Sequence, residues 1–167
     1  MQRRHLLPRL AVLASLGVLA GCGFRLRGSY TFRFSSLYLA TSTSPVAQDL
    51  RLSLESAGVR VLNERMPREQ ADVVLEFLGE QRQRVVVGRS ASGQVREMQL
   101  RIVMRFRVFT PQGVELIADT ELAQQRDISY NEAQALAKEG EEALLFRDMQ
   151  SDLVQQLMRR LAAVQVR

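Results

Sequence analysis

Apolar and polar residues alternate most regularly between positions 97 and 108. The even positions carry Met98, Leu100, Ile102, Met104, Phe106 and Val108, and the odd positions are polar or charged apart from Val103. A period of two is typical of a β-strand that buries one face. Less regular alternation covers 71–87 and 114–127, and the turn sequences GRSASG (88–93) and TPQG (110–113) separate the three stretches. The pattern therefore predicts three antiparallel strands joined by tight turns.

Two stretches have a helical period instead. The first is predicted to begin at Ser44, a capping residue type, with Pro45 in its first position, and to end at Gly58. Its apolar face comprises Val46, Leu50, Leu54 and Ala57. The second runs from a cap at Asn131 towards the end of the chain, and Gly140 marks either a kink or its true start. Its apolar stripe of Leu145, Met149, Leu153, Leu157, Leu161 and Val164 lies opposite Glu142, Arg147, Gln156 and Arg160.

A further strand is predicted at 34–40, where leucines alternate with more polar residues, and 60–62 is considered as a short extended piece. The element order is strand, helix, three strands, helix. A strand-helix-strand crossover favours a parallel first pair, and the other strands form an antiparallel meander. The sequence therefore predicts a single α+β domain over 34–167, with two helices packed on one face of a four-stranded mixed sheet whose strand order stays open.

The N-terminal sequence resembles a bacterial lipoprotein signal. Residues 1–21 contain a basic start and the apolar run 10–19, which is too short to span a bilayer. Leu19-Ala20-Gly21-Cys22 then resembles a lipobox, which implies that Cys22 is acylated and becomes the first mature residue, with 22–33 as a lipidated tether. The alternative is an ordinary signal peptide followed by a free thiol. Gly23 stands where an acidic residue would signal inner-membrane retention, so we expect attachment to the periplasmic side of the outer membrane.

Charge and residue usage restrict the possible functions. Three of the 23 basic residues and none of the 18 acidic ones lie in 1–21, so the mature chain carries 20 against 18, a net charge of +2. This near balance argues against nucleic-acid binding. Because the only histidine is His5 and the only cysteine is Cys22, common zinc sites and triads are excluded, and we expect no cofactor. Carboxylate chemistry stays open, with Glu76, Glu80 or Glu97 as candidate groups, although we expect no enzyme activity.

Arginine is concentrated around the first two strands of the meander. Arg101, Arg105 and Arg107 face a neighbouring strand that offers Glu115, Asp119 and Glu121 as cross-strand partners, and they are predicted to form a partner interface. Arginines near the 88–93 turn have no such acidic neighbours, and a planar guanidinium binds phosphate well. The predicted phosphate-binding residues are Arg82, Arg84, Arg89 and Arg96. The alternative is an ordinary solvated sheet face.

The mature chain resembles the LptE family of lipopolysaccharide-assembly lipoproteins over nearly its whole length. The similarity lies in GCGFRLRG at the lipidation site, DLRLSLESAGVRV, EMQLRIVMRFRVFTPQG and the closing segment that begins ISYNEAQALAKEG. It implies a non-catalytic protein that plugs and helps assemble the large outer-membrane β-barrel LptD and binds lipopolysaccharide on its way to the outer leaflet. The alternative is an accessory lipoprotein of another outer-membrane assembly or lipid-transport system.

Overall fold

The part of the chain described in this computed structural model comprises residues 30–40, 43–131 and 135–166, and it contains two α-helices, five strands and a short 3-10 helix at Arg68–Gln70. In chain order the strands and α-helices are β1 (Ser36–Ala40), α1 (Pro45–Ser56), β2 (Arg60–Leu62), β3 (Val73–Arg89), β4 (Val95–Phe109), β5 (Glu115–Ser129) and α2 (Ala135–Ala162). The predictions for the signal segment, Cys22 and the tether as far as residue 29 lie outside these ranges. The α+β class and both helices are confirmed.

The strands form one mixed sheet in the order β2-β1-β3-β4-β5. β1 lies in the middle of the parallel part and pairs with β2 and β3, whereas β3, β4 and β5 are antiparallel. The predicted count of four strands is therefore wrong by one, because Arg60–Leu62 pairs with the first residues of β1 as a strand of its own. Three residues are too few to show a clear period in the sequence, which explains the error.

The turns and caps form where the residue types predict them. The Ser44 hydroxyl accepts a hydrogen bond from the Ala47 N–H at 3.2 Å, as a helix cap does. Gly113 has a φ of 91°, which favours glycine, and its N–H bonds the Thr110 carbonyl at 2.8 Å in the turn between β4 and β5. These contacts confirm the predicted start of α1 and the second turn of the meander.

The core lies between the sheet and the two helices. The five even-numbered apolar residues of β4 from Leu100 to Val108 are buried on the helix side, and Met98 is partly buried there. Five residues of the predicted stripe are buried: Met149, Leu153, Leu157 and Leu161 of α2, and Val164 just after its end. α2 continues through Gly140, so that glycine is not its start. The alternation of β4 is thus confirmed and places the odd-numbered β4 residues on the face opposite the helices.

The alternation along 114–127 predicts that Leu116, Ala118 and Leu122 face inward, and the assignment of Ala118 is wrong. Ala118 is exposed, because the register between β4 and β5 shifts at this point. Phe106 pairs with Thr120 and Val108 pairs with Ile117, so β5 has one extra residue between these pairs. Such a bulge changes which side chains face the core, and the half-buried Ile117 packs there instead.

Three aromatic residues precede β1. The ring centroids of Tyr30 and Phe32 are 6.3 Å apart, and those of Phe32 and Phe34 are 5.2 Å apart. Phe34 is buried, and Tyr30 and Phe32 pack against the core. Residues 30–33, assigned from the sequence to the tether, therefore include two side chains that contribute to the packed domain.

Asp72 connects the beginnings of β1 and β3. Its carboxylate accepts hydrogen bonds from the Ser35 N–H at 2.8 Å, the Ser35 hydroxyl at 2.9 Å and the Ser36 N–H at 3.0 Å. Burial alone would raise the pKa of Asp72, but the hydrogen bonds from Ser35 and Ser36 outweigh it and hold the pKa below its ordinary value. The ionised carboxylate therefore stabilises the parallel pair.

We expect Asp72→Asn to lower the free energy of unfolding by about 1–3 kcal/mol at pH 7, since charge-assisted hydrogen bonds are lost. Because the folded-state pKa is lowered, this contribution is complete above the unfolded-state pKa and is lost as the pH falls below about 4. Urea unfolding at pH 7 and at pH 3 measures the difference in the free energy of unfolding between wild type and variant at each pH. A difference between wild type and variant that stays the same at the two pH values would contradict the role assigned to the carboxylate.

Candidate functional site

Three arginines of β4 lie on the sheet face opposite the helices. Arg105 forms an ion pair with Asp119 of β5, as predicted. Arg107 instead pairs with Glu76 of β3 at 2.6 Å, and its guanidinium lies 5.2 Å from the Phe109 ring centroid. Arg101 donates through Nε to Gln99 Oε1 at 2.7 Å. We call Arg101, Arg105, Arg107, Asp119 and Glu76 the polar sheet face, on which the two acids balance the charges of Arg105 and Arg107.

Arg82 and Arg84 lie on the other face of the sheet, towards the helices. A bulge at Leu78 shifts the register between β3 and β4, so that Arg82 pairs with Ile102 and Arg84 pairs with Leu100. Directly paired residues share a face, and both of these partners are buried core residues. The predicted phosphate-binding arginines are therefore not part of the same surface as Arg105 and Arg107.

Side chains of α2 provide partners for Arg82 and Arg84. Arg84 Nε lies 2.5 Å from Glu142 Oε1, and Arg82 Nη2 donates to Gln150 Oε1 at 2.6 Å. Arg82 also lies 3.4 Å from Glu80 and 5.6 Å from the Phe146 ring centroid. The helix thus supplies partners that the neighbouring strand lacks.

The predicted position of Glu142 on the polar side of α2 is wrong. Only 8% of Glu142 is exposed, because it lies between α2 and β3 where Arg84 meets it. A buried carboxylate requires a cation or hydrogen-bond donors, and the guanidinium of Arg84 supplies both. The bulge at Leu78 explains the error, since it turns Arg84 towards the helix.

Arg89 and Arg96 lie at the end of the hairpin formed by β3 and β4. Arg89 Nη1 donates to the Gly93 carbonyl at 3.0 Å within the turn. The side chain of Arg96 is exposed, while its carbonyl accepts the Tyr130 N–H at 2.8 Å. The structure therefore places Arg82 and Arg84 together beside α2 and places Arg89 and Arg96 around the turn, rather than forming one cluster of four.

A groove runs between β3 and the first half of α2. It consists of two adjoining depressions of about 560 and 380 Å³, which share Arg84, Glu139 and Glu142. The larger one is also lined by Arg82, Phe146 and Arg147, and the smaller one by Met98, Ile128, Tyr130 and Lys138, among others. We call this the β3–α2 groove, a cationic cleft with an apolar wall.

Sequence reasoning missed the helix side of this groove. Phe146, Arg147 and Lys138 lie more than fifty residues from Arg82 and Arg84, and a helical period does not reveal which turn packs over which strand. The groove forms because α2 packs against α1, β4 and β5 and leaves Arg82 and Arg84 of β3 exposed.

The described residues contain no group of three or more histidine, cysteine, aspartate or glutamate residues arranged to hold a metal ion. Among the helices described, none is both long and apolar enough to cross a membrane.

Known proteins share both the sequence and the fold. The family model for lipopolysaccharide assembly, LptE, matches residues 34–161. The LPS-assembly lipoproteins LptE of Yersinia pestis (strain Pestoides F) and Yersinia pseudotuberculosis serotype O:1b are each 31% identical to this chain over 166 residues, which covers 97% of this chain and 78% of the relative.

Two solved structures have the same architecture. Lipoprotein B from Nitrosomonas europaea is 29% identical with a TM-score of 0.71, over 84% of this chain and 91% of that one. Rare lipoprotein B from Shewanella oneidensis has a TM-score of 0.65 at 22% identity, over 77% of this chain and 94% of that one, and supports the fold alone. With the family model matched over most of the domain, the chain belongs to the LptE family of lipopolysaccharide-assembly lipoproteins.

Proposed function

We propose that this protein is an outer-membrane lipoprotein that plugs and helps assemble a β-barrel of the LptD type and binds lipopolysaccharide during its delivery to the outer leaflet. Membership of the lipopolysaccharide-assembly family carries the proposal. The placement of Arg82 and Arg84 on the sheet face opposite Arg105 and Arg107 supports it, because a plug that also binds a ligand needs two separate surfaces. The role requires no catalytic group.

Attachment is assigned to Cys22. Each buried methylene contributes about 0.8 kcal/mol, so two or three acyl chains on one cysteine hold a protein at the membrane almost permanently. The aromatic row from Tyr30 to Phe34 packs against the domain. The distance from the anchor to the domain is therefore at most the length of the short segment 22–29, which keeps the protein close to the periplasmic surface of the membrane.

The polar sheet face is assigned to the barrel. The lumen of an outer-membrane barrel is polar and wet, so a surface that enters it needs paired charges rather than a hydrophobic patch. Arg105 with Asp119 and Arg107 with Glu76 provide such pairs, and each pair lies partly exposed on the sheet. A partner with complementary polar groups can exchange hydrogen bonds with these side chains without burying an unpaired charge.

Lipopolysaccharide is assigned to the arginines of the groove and the hairpin end. Lipid A and inner-core sugars carry phosphates and carboxylates, which the planar guanidinium binds with two parallel hydrogen bonds. Arg82, Arg84 and Arg147 line the groove, and its apolar wall includes Met98 and Ile128. A cationic cleft with an apolar wall suits a ligand that is anionic at one end and hydrocarbon at the other.

We expect replacement of Arg82, Arg84, Arg89 and Arg96 by serine to weaken lipopolysaccharide binding at least about tenfold, because several charge-assisted hydrogen bonds are lost. The measurement is capture of lipopolysaccharide by purified lipoprotein in detergent at several salt concentrations, since ionic contacts weaken as salt rises. Circular dichroism checks that the variant folds.

The matched control replaces Arg101, Arg105 and Arg107 by serine, which removes a similar charge from the opposite sheet face. We expect this control to bind lipopolysaccharide within about threefold of wild type at moderate salt. If the four-serine variant binds as well as wild type, the arginines around the groove and hairpin end are not the ligand site. Equal losses in both variants would show only a general effect of charge.

A further inference from the structure

Glu142 is a buried acid inside a cleft that is otherwise cationic. Its carboxylate bonds Arg84 at 2.5 Å, and both depressions of the β3–α2 groove include this pair. The pair is unequally buried: 65% of the Arg84 side chain is exposed, compared with 11% of the Glu142 side chain. The guanidinium is therefore accessible to a ligand from solvent while it is already bound to an internal carboxylate.

We propose that Glu142 is an internal competitor for the anion site of the groove. This inference rests on the proposed function, since it concerns the same site. Glu142 holds Arg84 when the groove is empty, and a ligand anion must take over part of that interaction in order to bind. Glu142 thereby lowers the affinity of the groove for anions and determines which anions are bound.

A carboxylate ligand gains little at this site. It carries one negative charge and two oxygens, as Glu142 does, so it replaces one carboxylate on Arg84 by another and leaves the buried Glu142 without its cation. A phosphate monoester carries a charge of about −1.5 to −2 near neutral pH and has three acceptor oxygens. It can bond Arg84 and a second arginine together, so the competitor selects for phosphate.

Arg82 is placed to be that second arginine. Its Nη2 donates to the neutral amide of Gln150 at 2.6 Å, and its guanidinium lies over the Phe146 ring. The amide holds Arg82 more weakly than a carboxylate would, the contact of Arg82 with the Glu80 carboxylate is long at 3.4 Å, and the ring keeps the guanidinium plane in position. A phosphate between Arg82 and Arg84 therefore displaces one short internal ion pair rather than two.

The alternative is that the pair of Arg84 and Glu142 only fastens β3 to α2. The two interpretations predict different results for Glu142→Gln. If Glu142 competes with ligand, the neutral amide frees Arg84 and anion binding becomes tighter. If the pair only fastens the two elements, the substitution leaves anion binding unchanged or weakens it by loosening the groove.

The test uses the full-length lipoprotein in maltoside detergent, titrated by calorimetry with hexyl phosphate and with hexanoate. These probes share a hydrocarbon chain and differ in the anionic group. We expect wild type to bind hexyl phosphate more tightly than hexanoate. We expect Glu142→Gln to bind both probes about threefold to tenfold more tightly than wild type, because releasing one partly exposed ion pair changes the affinity by about this factor. The gain should be larger for hexanoate.

Asp148→Asn is the matched control. Asp148 is exposed on the same helix and lines neither depression of the groove, so this variant makes the same change in charge without touching the anion site or the bond to Arg84. We expect it to change the affinity for either probe by less than about twofold. Equal gains in the two variants would show a general effect of charge and overturn the role of Glu142.

Unchanged or weaker binding by Glu142→Gln would also overturn the proposal and leave the pair as a structural contact. Absence of measurable hexyl phosphate binding by wild type and Glu142→Gln would overturn the anion site in the groove. The lipopolysaccharide capture described above distinguishes failure of the proposed function from failure of the competitor role of Glu142. Wild type that captures lipopolysaccharide while Glu142→Gln shows no gain would contradict only the competitor.

Discussion

Phe106→Ala should lower the free energy of unfolding by about 3–5 kcal/mol, the range for removing a buried phenyl ring from a core. Phe106 is fully buried and is the largest side chain among the completely buried residues described. It pairs with Phe77 of β3 and Thr120 of β5, so its ring lies in the middle of the antiparallel part of the sheet, on the side of the helices. The neighbouring strands cannot move inwards to fill the space without losing their register.

Phe109→Ala is the matched control for this variant. Phe109 lies on the same strand, is half-buried, and has the Arg107 guanidinium 5.2 Å from its ring centroid. Removing its ring should cost about 1–2 kcal/mol, because part of its surface is already in contact with water. Urea denaturation of both variants measures the difference. Equal losses in the two variants would contradict the assignment of the two faces of β4.

Cys22→Ser should abolish lipid attachment, because the hydroxyl of serine does not replace the thiol that receives the lipid in lipoproteins. The expected protein keeps its signal segment, lacks acyl chains and is absent from the outer membrane. Without two or three acyl chains, each methylene of which contributes about 0.8 kcal/mol, the protein lacks the anchor by which we expect it to reach the outer membrane and meet the barrel. Incorporation of labelled palmitate, followed by membrane fractionation, measures both effects.

Gly23→Asp provides the control for this experiment. It retains Cys22, so the protein should be acylated as in wild type, but an acidic residue in the second mature position should keep it in the inner membrane. Acylation and location are thereby separated. If the Cys22→Ser variant were acylated and located like wild type, the lipobox assignment would be wrong.

Local patterns predicted much of the fold because each depends on residues close together in the chain. Ser44, Pro45 and Gly58 mark the ends of α1, and the alternation along β4 can be recognised from the residues of β4 alone. β2 could not be counted because three residues carry no clear period, and its status as a strand depends on pairing with β1.

The candidate site was harder to predict because it depends on a bulge and a distant helix. The extra residue at Leu78 turns Arg82 and Arg84 towards α2, and its local sign is Gly79, since an isolated glycine in a strand suggests a bulge without showing how the register shifts. The helical period predicts Glu142 on the solvent side, since an acid opposite an apolar stripe is expected to be solvated. Its burial follows from Arg84, which lies 58 residues earlier in the chain. The sequence shows the concentration of arginines, whereas their grouping requires the structure.

Affinity purification of the full-length lipoprotein from detergent-solubilised envelopes, followed by mass spectrometry, most directly tests the partnership with an LptD-type barrel. We expect a large outer-membrane β-barrel of this type in near-stoichiometric amount, retained through washes at high salt. Recovery of a different assembly or lipid-transport machine instead, or of no partner protein, would contradict it.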